Sequence, residues 1–431
     1  MIALYTLALT QTLSLIGSRM TAVGLGIWVY RQTGLTTPLL LTAFFSELPG
    51  MLLGSAAGVL IDRWDRRWVL ILADAGQALG TLWLLISVAS GHFTIWQLYA
   101  VALLQGTFAT LQGPAKNAAV TMLIPDSRRE RANAMLEVAY NLAGVLSPAL
   151  AGALFATIGI GGIIGIDLAT FLLAVTAVFL IAIPAALPTA EGQAGRGSAR
   201  AEWVAGWRFL ASRRALLSLA LYGVALNFLF NGSLELMVPY FIARTGSEAI
   251  AGTLLAVMSL GALAGGLLMM VWGGTRPRIH TLLLGYLLTG LMYFPLALGS
   301  SPVALGAAIF LLMVPLPIGN ILGLSIWQVK TPPDLQGRVF ALNAQLGFLG
   351  STAAFLLAGP VVDRLLEPAV GHPGWAIVAP LVGEGPGAGI ALLLLVTGAA
   401  VLAVTLVVYA WPLVRRLETN LPDYVPESTG Y

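Results

Sequence analysis

The sequence predicts an all-α polytopic membrane protein with twelve transmembrane helices in two six-helix pseudo-repeats. Three observations predict it. Hydrophobic residues make up 58% of the chain and charged residues only 10%, against roughly 25% charged in a soluble domain, and mean hydropathy is +0.88. The apolar runs reach about twenty residues or more, enough to cross roughly 30 Å of hydrocarbon as helices that satisfy their own backbone. A charged phrase also recurs in each half: Pro125-Asp126 followed by Arg131-Ala132-Asn133, then Pro333-Asp334 followed by Arg338 and Asn343.

Reading apolar runs against charged or Pro/Gly breaks sets the elements in order. Helices are expected at 3–30, 37–62, 68–90, 94–124, 130–157 and 160–184 in the first half. Their breaks are Arg31 to Gly34, Asp62 to Arg67, Gly91-His92, Pro125-Asp126, Gly159 and Pro184. The first run is too long for the apolar core of a signal peptide. In the second half helices are expected at 214–243, 249–272, 279–299, 302–328, 338–364 and 387–413, divided by Gly246, Gly273-Gly274, Ser300-Ser301, Pro332-Pro333 and Gly383 to Gly387. The domains are thus a six-helix bundle (1–187), a linker (188–213), a second bundle (214–414) and a tail (415–431). The linker is Gly/Ser/Ala-rich, and its segment from Glu202 to Phe209 reads as a short amphipathic helix on the membrane surface.

Of the 22 lysines and arginines, Arg19 and Lys116 fall inside apolar runs, and Arg31, Arg244 and Arg364 lie at one set of loops. The rest cluster at the alternate set, which places both termini in the cytoplasm. Orientation therefore accounts for the net charge of +3, and no nucleic-acid partner is expected. Cysteine is absent, and the three histidines, His92, His280 and His372, stand far apart. With no metal-ligand cluster and no nucleophile–base pair, neither a metal, a cofactor nor enzymatic chemistry is expected. Gly383-Glu384-Gly385-Pro386-Gly387 lacks the preceding strand of a phosphate loop and reads as a loop.

The phrase Gly58-Val59-Leu60-Ile61-Asp62-Arg63-Trp64-Asp65-Arg66-Arg67 resembles the loop between the second and third helices of the major facilitator superfamily, with Asp65 where that family usually has glycine. The resemblance implies that Gly58 permits close helix approach, that Asp62 faces the N-terminal amides of the eleventh helix, and that Arg66 and Arg67 pair with Asp74 as a cytoplasmic latch. Asp74 also reads as a plain interfacial salt-bridge partner. In the fifth helix, Gly144-Val145-Leu146-Ser147-Pro148-Ala149-Leu150-Ala151-Gly152 is similar to a Gly/Pro segment of the superfamily's antiporters, and reads equally as small-residue packing. Ala102 stands where the family's arginine is expected in the fourth helix. Ser14 to Arg19, Glu47-Leu48-Pro49, Gly165 to Phe171 and Arg415 to Asp423 look like the drug–proton antiporter branch, which includes macrolide efflux pumps and the enterobactin exporter.

That branch implies a monomeric secondary exporter of amphiphilic or hydrophobic small molecules in a bacterial inner membrane, exchanging substrate for protons by alternating access. An uptake carrier or lysophospholipid flippase on the same fold is the alternative. Ionisable groups within the bilayer are the candidates for coupling. Glu47, Glu235 and Glu137 are the candidate proton carriers; Arg19 is a candidate partner for Glu47, and Lys116 for Glu137. Asp167 reads as a capping or packing residue. Gln11, Gln105, Asn227, Asn231 and Asn320 are the candidate substrate-cavity residues, each also able to serve as a hydrogen bond between helices.

Overall fold

The computed structural model describes residues 2–61, 66–123, 129–180, 199–421 and 423; side chains are described for these except 2–5, 54–61, 66, 113–114, 116–123, 129–138, 199–205 and 333–334. Among the described residues there is no strand. The first half contains α1 (Ile2–Thr33), α2 (Thr37–Ile61), α3 (Arg66–Ala89), α4 (Ile95–Leu123) and a run Arg129–Leu180. Gly159, with φ of 63°, divides that run into α5 (129–158) and α6 (160–180), and only glycine adopts this conformation cheaply. Contacts with α1 show that the chain reverses there. Gly17 lies against Asp167 and Thr170 while Gly24 lies against Ile163 and Ile160, so α6 is antiparallel to α1. Arg19 meets Gly144 and Trp28 meets the level of Phe155, so α5 is parallel to it.

After α7 (Ala199–Ser212), the second half opens with α8 (Arg214–Glu235) and α9 (Met237–Thr245), which together form one span broken at Leu236. The cause is Pro239, whose ring displaces the bond to the carbonyl of Glu235. Next come α10 (Glu248–Trp272), α11 (Arg278–Leu298), and a second broken span, α12 (Pro302–Met313) with α13 (Pro315–Lys330). There Pro315 and Pro317 interrupt the bonding. Helix α14 (Pro333–Val361) continues through a π-helical turn, Val362–Leu366, into α15 (Glu367–Ala369). Short α16 (Ala379–Val382) precedes α17 (Ala388–Ala410), and α18 (Pro412–Arg415) and α19 (Leu417–Asn420) form the tail.

Nine of the described helical runs are long and apolar enough to cross a membrane. Counting 139–180 as two and adding α2 and α4 gives the expected twelve, with bounds within a few residues of those read from the sequence. Large apolar side chains such as Trp96, Met270 and Val303 face outward, as bilayer solvation permits.

The two halves meet along two helix pairs. Between α2 and α14, Thr37 lies against Gly359, Glu47 bonds Ser351 and Gly50 faces Phe348; one index rises as the other falls, so the pair is antiparallel. Between α5 and α10, Gly152 faces Gly252 backbone to backbone. The tail is also fastened. Glu418 accepts the Ile279 amide at 2.8 Å and so caps α11, while buried Lys330 pairs with Asp423 at 2.7 Å. The hydrogen bond from Lys330 holds the Asp423 carboxyl below the usual carboxylate range.

Candidate functional site

Two cavities adjoin inside the bundle. The first, of about 490 Å³, lies between the halves and is walled by α1, α2, α8, α9, α10 and α14, with Glu47 and Glu235 both on its wall. The second, of about 540 Å³, lies within the second half and is lined by Tyr222, Phe230, Tyr286 and Trp327 together with Asn227, Asn320 and Asn343. Asn231 and Leu234 line both. Among the described residues, no basic side chain lines either cavity. The result is an aromatic and amide-lined chamber beside one that carries two carboxylates.

Each carboxylate is positioned by its helix. Glu47 projects from α2 towards α14, where Ser351 donates to its Oε2 at 2.7 Å. Glu235 ends α8 at the break caused by Pro239, and its side chain is exposed to the cavity. Asn227 and Asn231 sit one turn apart, Asn231 donating to the Asn227 carbonyl at 2.9 Å. Tyr286 donates to Asn320 Oδ1 at 3.2 Å. The sequence reading missed the aromatic wall and Asn343. Tyr222 and Phe230 share α8 with Asn227, and no sequence signal separates them from aromatics that face lipid.

Gln11 and Gln105 are elsewhere. They belong to a hydrogen-bonded network in the core of the first half, and neither lines the two cavities. Gln11 Nε2 donates to Asp74 Oδ2 at 2.9 Å, and Gln112 donates to the other oxygen. Gln77 donates to Gln112 at 3.1 Å, and Gln105 reaches the Gln77 carbonyl at 3.3 Å and Thr81 Oγ1 at 3.1 Å. Thr81 then donates to Asp167 at 3.4 Å, as Ser18 does at 3.1 Å. In an apolar core each amide is cheaper bonded than facing a cavity alone, so the polar residues of α1, α3, α4 and α6 tie those helices together. Asp167 thereby accepts hydrogen bonds from both α1 and α3.

The pairing of Arg19 with Glu47 is also not the arrangement found. The Arg19 guanidinium lies 4.2 Å from the Tyr140 ring centroid and donates to the Tyr140 carbonyl at 3.2 Å. Arg19 faces α5, over the gap left by Gly144, whereas Glu47 faces α14. The side chains of Lys116 and Glu137 lie outside the described residues.

The family profile described as Major Facilitator Superfamily matches residues 7–355. The chain belongs to the major facilitator superfamily. The uncharacterized MFS-type transporter YfiS of Bacillus subtilis is 27% identical over 393 residues, covering 83% of this chain and 89% of the relative. Macrolide efflux protein A of Streptococcus pyogenes is 25% identical over 399 residues, covering 88% and 96%. In fold, the chain is similar to a bacterial homolog of the human lysosomal transporter Spinster, solved inward-facing and unoccupied, with a TM-score of 0.74, 15% identity, and coverage of 99% and 98%.

Of the major facilitator loop motif, Asp62 and Arg63 and the side chain of Arg66 lie outside the described residues, and Gly58 is described only as helical backbone of α2. Arg67 donates to the Val178 carbonyl at 3.4 Å and to that of Phe179, at the end of α6. Asp74 is the acceptor for Gln11 and Gln112 described above. In the antiporter-like segment, buried Ser147 bonds back to Ala143 at 2.7 Å, Pro148 reaches the cavity wall, and Gly152 forms the crossing with α10.

Proposed function

We propose that this major facilitator protein is a secondary active exporter of amphiphilic or hydrophobic small molecules, driven by proton antiport through alternating access. The observation that carries the reading is the placing of Glu47 and Glu235 on one cavity between the halves, adjoining the aromatic and amide-lined chamber. Aromatic faces and a few amides suit a loosely selective apolar guest. Carboxylates bordering the same water-accessible space are the groups that exchange a proton as the guest enters or leaves. The likeness to a macrolide efflux protein supports this class of cargo. Energetically one proton suffices: a charge moved through 100 mV supplies about 2.3 kcal/mol, equivalent to roughly a fiftyfold gradient of a neutral solute.

In this reading the protein resides in the bacterial inner membrane with the arginine-rich loops and both termini in the cytoplasm. The test uses inside-out vesicles with an acidic lumen and a macrolide or amphiphilic dye as probe. Uphill accumulation that collapses with the pH gradient is expected. Movement indifferent to the gradient would favour the flippase alternative, and accumulation only in right-side-out vesicles an uptake carrier.

A further inference from the structure

The start of α2 is capped by an acid from the other half of the molecule. Asp363 stands in the π-helical turn that ends α14. Its Oδ1 accepts the Thr36 amide at 2.9 Å and the Thr36 hydroxyl at 2.9 Å, and its Oδ2 accepts the Thr37 amide at 2.7 Å and the Thr37 hydroxyl at 2.6 Å. Four donors therefore converge on one carboxylate across 327 positions of sequence. The first amides of a helix have no partner within it and present partial positive charge. An anion supplies what they lack, through charge-assisted bonds about twice as strong as neutral ones. Thr36, the residue placed to cap α2 itself, instead turns its hydroxyl towards Asp363.

Two further features converge on the same place. A Cβ on Gly359, one turn before Asp363, would lie 2.6 Å from Thr37 Cα, so bare backbone lets α14 close against α2. At the same end of the bundle Arg31 of α1 pairs with Glu248 of α10 at 2.5 Å, again between halves. This end carries the arginine-poor loops, which the positive-inside rule puts outside. Further along the same antiparallel pair lies the bond between Glu47 and Ser351. Parting α14 from α2 at the outer end would pull first on Asp363 and then on the cavity carboxylate.

We infer that Asp363, with Thr36 and Thr37, is the outer gate latch of this transporter, holding the start of α2 while the outer end is shut and releasing it when that end opens. The π-helical turn sets the carboxylate at the tip of α14, and Pro368, which leaves the Arg364 carbonyl without its usual helical bond, accounts for the turn being there. The carboxylate does not touch the guest; it positions the helices that enclose it.

The test exploits the absence of cysteine. A reporter Ala22→Cys, on the cavity wall, is labelled from outside in intact cells with a membrane-impermeant maleimide. Asp363→Asn should raise the labelling rate about tenfold to a hundredfold, because loss of the charge weakens bonds made only in the shut state. Asp363→Glu should recover part of the effect. The double variant Thr36→Val/Thr37→Val, which keeps Asp363 and its amide donors, should raise the rate about threefold to tenfold. A folded Asp363→Asn protein labelled at the parent rate overturns the inference, since a purely structural cap would lower thermal stability without opening the cavity. If Asp363→Asn does not fold, the threonine variant decides: faster labelling supports the latch, and unchanged labelling or failure to fold overturns it.

Discussion

Gly252→Ala tests whether closure at the outer end depends on the bare crossing of α5 and α10. A Cβ there would lie 2.6 Å from the Pro148 carbonyl oxygen and 2.8 Å from Gly152 Cα. Both neighbours are backbone, so neither can rotate away. Reaching an ordinary 3.4 Å contact requires the helices to part by about 0.8 Å at this point. Overpacking of this kind typically costs about 1–3 kcal/mol. If the two helices separate when the outer end opens, the strain is confined to the shut state, and the equilibrium moves towards opening by roughly 5- to 150-fold. The rate at which Ala22→Cys is labelled from outside should rise accordingly, while the variant remains inserted and monodisperse. A folded Gly252→Ala protein with labelling within twofold of the parent would mean that the crossing is equally tight, or equally slack, in both states, and that closure does not depend on it.

Asp74→Ala removes the acceptor for the buried amide of Gln11 and the half-buried amide of Gln112 and should cost about 3 kcal/mol or more; a thermal unfolding series in detergent showing less than about 0.5 kcal/mol would contradict the hub role. The Asp423 carboxyl is held below its usual range by Lys330. A lowered folded-state value means that the tail's attachment is fully present above the unfolded carboxylate range, near pH 4, and weakens as pH falls through the lowered value. Spin labels on the tail should therefore become mobile only under strongly acidic conditions, and Asp423→Asn should abolish that transition. Membrane-impermeant reagents should label single cysteines near His92 and Gly385 in intact cells but not one near Gly195; the reverse pattern would invert the assigned orientation.

The helix count was readable because apolar runs of spanning length leave few alternatives once charged breaks are placed. The breaks at Leu236 and Val314 were not read, although Pro239 and Pro317 carry the cause, since a proline inside an apolar run does not end it by composition. Glu47 and Glu235 stood out because a carboxylate in hydrocarbon is costly wherever it points. Which residue each acid faces depends on packing between distant segments, and there the reading failed. Glu47 meets Ser351 rather than Arg19, and Gln11 and Gln105 tie helices together instead of lining the cavities. Asp363 was invisible as a cap because a lone acid near a helix end reads as interfacial until Thr36 and Thr37 are brought to it. Tyr222, Phe230, Tyr286 and Trp327 were passed over because an aromatic in a membrane helix carries no mark of whether it faces lipid or cavity.

In the proposed mechanism, a proton taken up at Glu47 or Glu235 drives the export of a guest held in the adjoining chamber. This coupling is tested most directly by measuring uphill, proton-driven transport and guest binding in one preparation of Glu47→Gln, Glu235→Gln and the double variant, with thermal stability recorded alongside. The coupling residue, once fixed as its neutral amide, should leave the protein stable and able to bind, abolish accumulation driven by a pH gradient, and spare downhill exchange. A stable double variant that still accumulates its guest against a gradient, at the parent rate and with the same dependence on pH, would contradict it.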